Sequence, residues 1–228
     1  MCGSYTIVPG ENFYKRFGTE NRLARLRSSY NIKPGFFMPV VTTNESKRRV
    51  SLMKWGLIPS WAKEPAIGYK MINARSETIN EKVSYRIPFK KQRCLVPASG
   101  FYEWKKTGKE KIPYYLKLKS ENLFSFAGLF DVWKDEEGKE IFSYTIITTE
   151  PNPLVAPIHN RMPAILEEKN EEKWLEESAA TNKLLDFLKP FPENEMEAYP
   201  VSRAVNYAEN NSEDLIKPER DNSQPKLF

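Results

Sequence analysis

The sequence predicts an α+β fold, in which a curved antiparallel β-sheet or open barrel is flanked by short helices. Seventeen prolines and many short β-branched or aromatic runs are typical of strands joined by turns. The most strand-like runs follow one another in the middle of the chain, which favours hairpins within a single curved sheet. The sequence contains no internal repeat, which excludes repeat architectures.

Apolar periodicity and turn residues place the individual elements. Short helices are expected at residues 11–17, 21–28, 76 or 78 to 84, 171–177 and 182–188. Strands are expected at residues 37–42, 49–57, 94–97, 100–105, 114–118, 123–133, 141–148 and 162–166. We expect one domain over residues 1–206. The remaining sequence, residues 207–228, is polar and predicts a flexible tail.

Composition limits the classes of function. The chain has 2 cysteines and 1 histidine, so neither a disulfide framework nor a cysteine- or histidine-rich metal site is expected. No glycine-rich phosphate loop is present, and we expect no cofactor. The sequence shows neither a signal peptide nor an apolar run long enough to span a bilayer. We therefore expect a cytoplasmic protein without a membrane partner, associated with the nucleoid if the source is prokaryotic.

The basic residues form three clusters. The formal net charge is +5, which suits an anionic partner but is common among intracellular proteins. The clusters are Lys47, Arg48 and Arg49; Lys90, Lys91 and Arg93; and Lys105, Lys106, Lys109 and Lys111. Taken singly, each cluster is interpreted as a solvated turn or strand end.

Cys2 is the first candidate reactive residue. Removal of an initiator methionine before a small residue leaves a cysteine that carries both a free α-amine and a thiol. The amine forms a Schiff base with an aldehyde, and the neighbouring thiol closes on the same carbon to give a five-membered thiazolidine. An unperturbed α-amine has a pKa of about 7.7–8.0, which leaves a nucleophilic fraction near neutral pH. A cysteine at position two is, however, often incidental.

Two further residues are candidates for proton transfer. Glu103 stands between Tyr102 and Trp104, either on a solvated strand face or in a partly apolar cleft that raises its pKa. His159, the only histidine, lies in a proline-flanked loop. A lone histidine is usually structural, but a loop between strands is a suitable place for acid–base chemistry.

Five motifs together resemble one family. They are Met1-Cys2-Gly3, the stretch from Trp55 to Trp61, Asn73 to Thr78, Arg93 to Trp104, and His159 to Pro163. In this order they resemble the SRAP family, the SOS response-associated peptidases or abasic-site processing proteins of the YedK and HMCES type. The resemblance covers about residues 1–205. It implies the SRAP fold and a sensor of abasic sites in single-stranded DNA.

The resemblance also implies roles for four residues. Cys2 is exposed by removal of Met1, apparently by self-cleavage, and forms a stable thiazolidine with the ring-opened abasic sugar. Asn73, Glu103 and His159 match the catalytic asparagine, glutamate and histidine of the family. We infer that Asn73 orients the Cys2 amine, that Glu103 shuttles protons and that His159 promotes sugar opening. The protein is then an autopeptidase and a possible lyase.

DNA contacts are implied less directly. Arg75 and Arg161 match positions that the family uses near phosphates, whereas Trp61 and Trp104 are either core residues or stacking faces. Pro39, with Phe37 and Met38, matches an apolar wedge of the family that prevents the second strand from pairing beyond the lesion. The expected partner is abasic single-stranded DNA, bound by a monomer.

One position departs from the family pattern. Family members commonly carry arginine after Met-Cys-Gly, and this chain has Ser4. The change removes one expected phosphate contact but no reactive group, so it affects DNA affinity before chemistry. Lys33 is a candidate for compensation.

Two other functions remain open at this point. Class II glutamine amidotransferases also begin with Met-Cys-Gly and hydrolyse amides with the exposed thiol, although the rest of their pattern is not found here. A non-covalent single-stranded DNA-binding module would bind undamaged and abasic strands equally, with Cys2 incidental.

Overall fold

A computed structural model describes residues 2–120 and 123–219. Its largest feature is a ring of five strands, made by β3, β4, β6, β9 and β10. β10 closes the ring because it pairs antiparallel with β9 and parallel with β4. The short strands β5, β11 and β12 add to this barrel at β10 and β9. The sequence predicts an α+β fold with a sheet or barrel core, and this prediction is confirmed, with the barrel closed.

A second sheet packs beside the barrel and holds the start of the chain. Its order is β13, β8, β7, β1, β2. The thirteen strands span Tyr5–Ile7, Ser29–Ile32, Phe37–Asn44, Lys47–Trp55, Asn73–Arg75, Arg93–Ala98, Gly100–Thr107, Glu110–Leu118, Phe124–Lys134, Glu140–Thr149, Met162–Pro163, Ile165–Leu166 and Met196–Pro200. β1 and β7 pair antiparallel, with Tyr5 opposite Phe101. This pairing places the N-terminus against the strand that carries Glu103.

Four short α-helices flank the sheets within residues 2–120 and 123–219. They span Phe13–Phe17 (α1), Val83–Lys91 (α2), Glu168–Leu175 (α3) and Thr181–Leu185 (α4). Turns of 3₁₀-helix occupy Pro65–Lys70, Ser76–Thr78, Asp186–Leu188, Glu193–Glu195, Arg203–Asn206 and Glu213–Ile216. In the described part of the chain, no helix has the length and apolar run needed to cross a bilayer.

The core of the barrel is aromatic. Trp55 and Tyr144 stack with an interplanar angle of 10°, and the hydroxyls of Tyr5 and Tyr144 are 2.7 Å apart. Because each buried hydroxyl finds a partner, the rings enter the core without an unsatisfied polar group. Trp55 is a core residue, with an exposed fraction of 1%.

Two predicted helices differ from the observed structure. Residues 21–28 form no helix, because the side-chain amide of Asn21 bonds both the carbonyl and the N–H of Val50 and so mimics a strand partner of β4. The helix predicted to end at residue 84 begins at Val83 instead, after a separate 3₁₀ turn at Ser76–Thr78. Residues that cap a helix also favour turns, which explains the shifted start.

Residues 207–219 are folded, contrary to the expectation of a flexible tail. Leu215 is 2% exposed and packs with Tyr102 and Val205. Val201 forms an isolated antiparallel bridge with Pro218. A few apolar residues at turn positions suffice to hold a polar segment, which composition alone does not reveal. Residues 220–228 of the predicted tail lie outside the described residues.

Candidate functional site

The four predicted reactive residues come from distant parts of the chain and meet beside the second sheet. Cys2 precedes β1, Asn73 begins β5, Glu103 lies in β7 and His159 lies between β10 and β11. The Tyr102 N–H donates to the Ser4 carbonyl over 3.0 Å, which extends the pairing of β1 with β7 by one residue. This pairing places Cys2 near Glu103.

Asn73 holds the start of the chain. Its Nδ2 donates to the Cys2 carbonyl over 2.8 Å, and its own carbonyl accepts from the Tyr85 hydroxyl at 3.3 Å. Oδ1 of Asn73 is buried and accepts no hydrogen bond among the residues described. The amide therefore fixes Cys2 and leaves an acceptor for one more N–H.

The Cys2 side chain is buried at 0% exposure. Burial raises the pKa of its thiol far above the ordinary value, and the negative charge of Glu103 adds to this shift. The thiol donates weakly to the Ser4 carbonyl over 3.8 Å. It is consequently protonated at neutral pH, and a base must remove its proton before the sulfur attacks.

Glu103 is suited to act as that base. It is 2% exposed, and burial raises its pKa from 4.5 to about 7. A carboxyl with this pKa both gives and takes protons near neutral pH. The alternative of a solvated strand face is wrong, because the side chain points into the protein.

His159 stands next to Glu103, with Nε2 3.9 Å from a Glu103 carboxylate oxygen. The Arg161 N–H donates to Nδ1 over 3.1 Å. Burial lowers the pKa of the imidazole, so the ring is neutral at pH 7. Nδ1 also lies 3.2 Å from the Arg161 carbonyl oxygen, so the backbone of Arg161 can pair with either tautomer of the ring, and Nε2 is the ring atom that faces Glu103.

A cavity of about 410 Å³ opens beside this pair. Its lining residues are Glu103, Trp104, Lys106, Lys111, His159 and Asn206. Among residues 2–120 and 123–219, no group of three or more His, Cys, Asp and Glu side chains is arranged to hold a metal ion. Acid–base groups and cations thus share one opening to solvent.

The predicted DNA-binding arginines are placed differently from each other. Arg75 is exposed at the end of β5, two residues after Asn73. Arg161 is 12% exposed in its side chain, donates to both carboxylate oxygens of Glu77 and also bonds the Thr148 carbonyl. Arg75 is therefore exposed and close enough to Glu77 to lower the pKa of that carboxyl, whereas Arg161 bonds Glu77 directly.

The residues predicted to make apolar contacts with DNA also lie in different environments. Trp104 lines the cavity, and its indole N–H donates to Asn206 over 2.8 Å. Trp61 is 56% exposed, but it follows Ser60, whose N–H bonds Asp131 away from the cavity. Pro39 does not fit the predicted wedge, because its side chain is buried within β3.

Ser4 is buried and has a structural partner. Its hydroxyl donates to Asn31 Oδ1 over 2.9 Å. The Asn31 Nδ2 lies within 3.2 Å of three carbonyl oxygens, those of Val205, Tyr207 and Asn210. Ser4 therefore connects the reactive N-terminus to the folded C-terminal segment rather than facing a ligand.

We predict that Asn31→Ala lowers the free energy of unfolding by about 2 kcal/mol, because it leaves buried carbonyls without donors. Urea denaturation followed by circular dichroism measures the change. Asn182→Ala, at an exposed position of α4, serves as the control and is expected within about 0.5 kcal/mol of the parent protein. Equal stabilities of the two variants would contradict the prediction.

Two further residues hold the Trp104 ring: Lys33, which the sequence suggested only as compensation for Ser4, and Asn206, which the sequence did not single out. Lys33 donates to the Val205 carbonyl over 3.3 Å and lies 5.5 Å from the centre of the Trp104 ring. Asn206 holds the same ring by its edge. Neither residue belongs to a recognisable motif, and only the fold of the C-terminal segment brings them to the cavity.

A cysteine near the start of the chain, held by an asparagine and placed beside a buried glutamate and a histidine, resembles the sites of proteins that use an N-terminal nucleophile. The family model for SOS response associated peptidases (SRAP) matches residues 1–208. The chain belongs to the SRAP family.

Individual relatives agree with this assignment. The abasic site processing protein YoqW of Bacillus subtilis is 44% identical over 222 residues, which cover 95% of this chain and 99% of YoqW. The abasic site processing protein HMCES of Xenopus tropicalis is 37% identical over 224 residues, which cover 84% of this chain and 66% of the HMCES chain. A crystal structure of a Bacteroides thetaiotaomicron protein superimposes with a TM-score of 0.89 at 33% identity, covering 96% of this chain and all of that one.

Proposed function

We propose that this protein recognises abasic sites in single-stranded DNA and traps them covalently through Cys2. The observation that carries the proposal is the hydrogen bond from Asn73 to the Cys2 carbonyl, which sets the first cysteine beside Glu103 and His159. The relatives named abasic site processing proteins support the same substrate.

The proposed reaction uses both functional groups of the terminal cysteine. Hydrolysis of the Met1–Cys2 peptide bond frees the amine. The amine adds to the aldehyde carbon of the ring-opened sugar, and loss of water gives a Schiff base. The Cys2 sulfur then adds to the same carbon, the thiol proton leaves and the nitrogen gains a proton, which closes the thiazolidine.

The buried thiol explains why this reaction requires Glu103. A protonated sulfur adds slowly, and a carboxylate with a pKa of about 7 is a competent acceptor for its proton. Asn73 Oδ1 is positioned to accept a hydrogen bond from the freed amine, which would direct the nitrogen lone pair towards the incoming aldehyde. In the reverse direction the same groups return the protons.

We assign opening of the closed sugar to His159. Its neutral ring presents Nε2 to the side on which Glu103 lies, so the two residues can transfer a proton between sugar oxygens in concert. Kinetics of Glu103→Ala and His159→Ala on a closed-sugar substrate test this division. If neither variant slows crosslinking, the assignment of both residues is wrong.

Two labels for the activity follow from the proposal. Removal of Met1 with help from Cys2 makes the protein a peptidase that acts once on itself. Cleavage of the DNA strand at a bound abasic site would add a lyase activity. We propose that the protein acts as a monomer on DNA in the cytoplasm, or on the nucleoid of a prokaryote, and needs no cofactor.

The proposal is tested by mixing the purified protein with a single-stranded oligonucleotide that carries one abasic site. We expect a species that survives heating in SDS and whose intact mass equals protein without Met1 plus oligonucleotide minus one water. A matched undamaged oligonucleotide should give no such species. Retention of Met1, or the absence of an adduct, would overturn the proposal.

The same experiment separates the alternatives. An amide hydrolase of the amidotransferase type would release ammonia from glutamine and leave the oligonucleotide unmodified. A non-covalent binding module would retain undamaged and abasic strands equally on a filter and yield nothing stable to SDS.

A further inference from the structure

Two lysines face each other across the β7–β8 hairpin, and an anionic ligand would offset the repulsion between their charges. Lys106 and Lys111 are directly opposite each other in the antiparallel register, and both side chains are exposed. Like charges at directly opposed positions destabilise a strand pair. The arrangement is therefore unfavourable for the hairpin alone and becomes favourable when an anion lies between the two ammonium groups.

The neighbouring carboxylates are committed to other partners. Glu110, next to Lys111 in the chain, is paired with Arg203 at 2.8 Å, and Glu103 is buried beside His159. Both lysines line the cavity that Glu103 and His159 also line. The positive pair thus opens onto the same space as the proposed chemistry.

The position of Lys106 is close enough to affect the reactive residues. Burial lowers the pKa of His159, and the positive charge of Lys106 lowers it further. The Trp104 ring, which also lines the cavity, is held by Asn206, which bonds its edge, and by Lys33, which lies over its face. A strand that enters the cavity therefore meets a held aromatic ring together with two cations.

We propose that Lys106 and Lys111 together bind one backbone phosphate of the DNA strand adjacent to the abasic site. The inference rests on the proposed function, which supplies the strand at this cavity. A phosphodiester carries a single negative charge and several acceptor oxygens, and lysine binds phosphate as a mobile point charge. One phosphate between the two ammonium groups satisfies both and removes their mutual repulsion.

The test compares the double variant Lys106→Ala/Lys111→Ala with Lys105→Ala/Lys109→Ala. The second variant removes the same charge from the same hairpin at positions that do not line the cavity. Crosslinking rate is measured against the concentration of an abasic oligonucleotide at several salt concentrations. We expect the half-saturating concentration to rise about tenfold for the first variant only, with a maximal rate within about twofold of the parent protein.

The salt dependence identifies the contact as a phosphate. Loss of one phosphate contact to a single strand reduces the slope of log affinity against log salt by about 0.7. We expect this reduction in Lys106→Ala/Lys111→Ala, recovery of the slope in Lys106→Arg/Lys111→Arg, and no change in the control variant. A single uncharged methylphosphonate linkage near the lesion should reproduce the effect in the parent protein and add nothing in the alanine variant.

The outcomes distinguish this inference from the proposed function. If the parent protein crosslinks and both double variants show the parent half-saturation and slope, the phosphate site is wrong and the function stands. Equal losses in both double variants would likewise overturn the site, because they would reflect only net charge. If the parent protein forms no crosslink, the proposed function itself fails.

Discussion

Cys2→Ala is expected to reduce the heat-stable adduct with abasic DNA at least about 100-fold, the largest effect of any single substitution. Without the sulfur, the ring cannot close and the reaction stops at the Schiff base, which water reverses. Denaturing electrophoresis measures the stable adduct. Borohydride reduction captures any Schiff base that the alanine amine still forms, and intact mass establishes whether Met1 was removed.

Cys94→Ala is the matched control for this experiment. Cys94 is the other cysteine of the chain; it is fully buried in β6 and does not line the cavity beside Glu103 and His159. Its alanine variant is expected to crosslink at the parent rate at a temperature where it remains folded. A Cys2→Ala protein that still gives a full yield of heat-stable adduct would show that another group traps the aldehyde.

Glu103→Gln is expected to slow crosslinking about 100-fold at pH 7, which is typical of the loss of a general acid–base residue. Glutamine has nearly the same shape and keeps a polar group in the same place, but it cannot take the proton from the Cys2 thiol. Single-turnover kinetics at saturating oligonucleotide measure this step. A rate within about threefold of the parent protein would contradict the assignment of Glu103.

The same substitution is expected to stabilise the protein at alkaline pH. Because burial raises the pKa of Glu103 from 4.5 to about 7, the folded state holds this proton more tightly than the unfolded state. The carboxyl therefore costs no stability at pH 4, and an increasing amount as pH rises towards 7. One pKa unit corresponds to about 1.4 kcal/mol, so the cost above pH 7 approaches about 3 kcal/mol.

Urea denaturation at pH 4, 6 and 8 measures this effect. The Glu103→Gln variant should match the parent protein at pH 4 and exceed its stability by up to about 3 kcal/mol at pH 8. Glu64→Gln, at an exposed position, is expected to follow the parent protein at every pH. A constant difference in stability between Glu103→Gln and the parent protein across this pH range would show that burial does not disfavour the charged form of Glu103.

The strands of the barrel could be predicted because their sequences combine β-branched and aromatic runs with clear turn signals. The barrel strands β6, β9 and β10, and likewise β7 of the second sheet, lie within one or two residues of the expected bounds. The closure of the barrel was not predictable, because it depends on β10 pairing with both β9 and the distant β4. Such long-range pairing leaves no local pattern in the sequence.

In the candidate site, too, residues marked by a sequence motif were predictable, and residues brought together only by the fold were not. Cys2, Asn73, Glu103 and His159 were found because each lies in a family motif, and the structure brings them together. Pro39 was misjudged because it lies within a run of four consecutive buried residues of β3, residues 38–41. Lys106 and Lys111 were visible as part of a basic cluster, but only the hairpin register shows that they face each other.

The complete burial of the Cys2 sulfur also affects how easily the thiol is oxidised in the free protein, before DNA binds. Peroxides and other small oxidants attack thiolates, and a thiol that is both enclosed and protonated offers them little reactivity. Under the proposed function, the thiol is thereby kept reduced until the protein meets an abasic site. In that reaction the sulfur acquires a partner only after an aldehyde has joined the adjacent nitrogen.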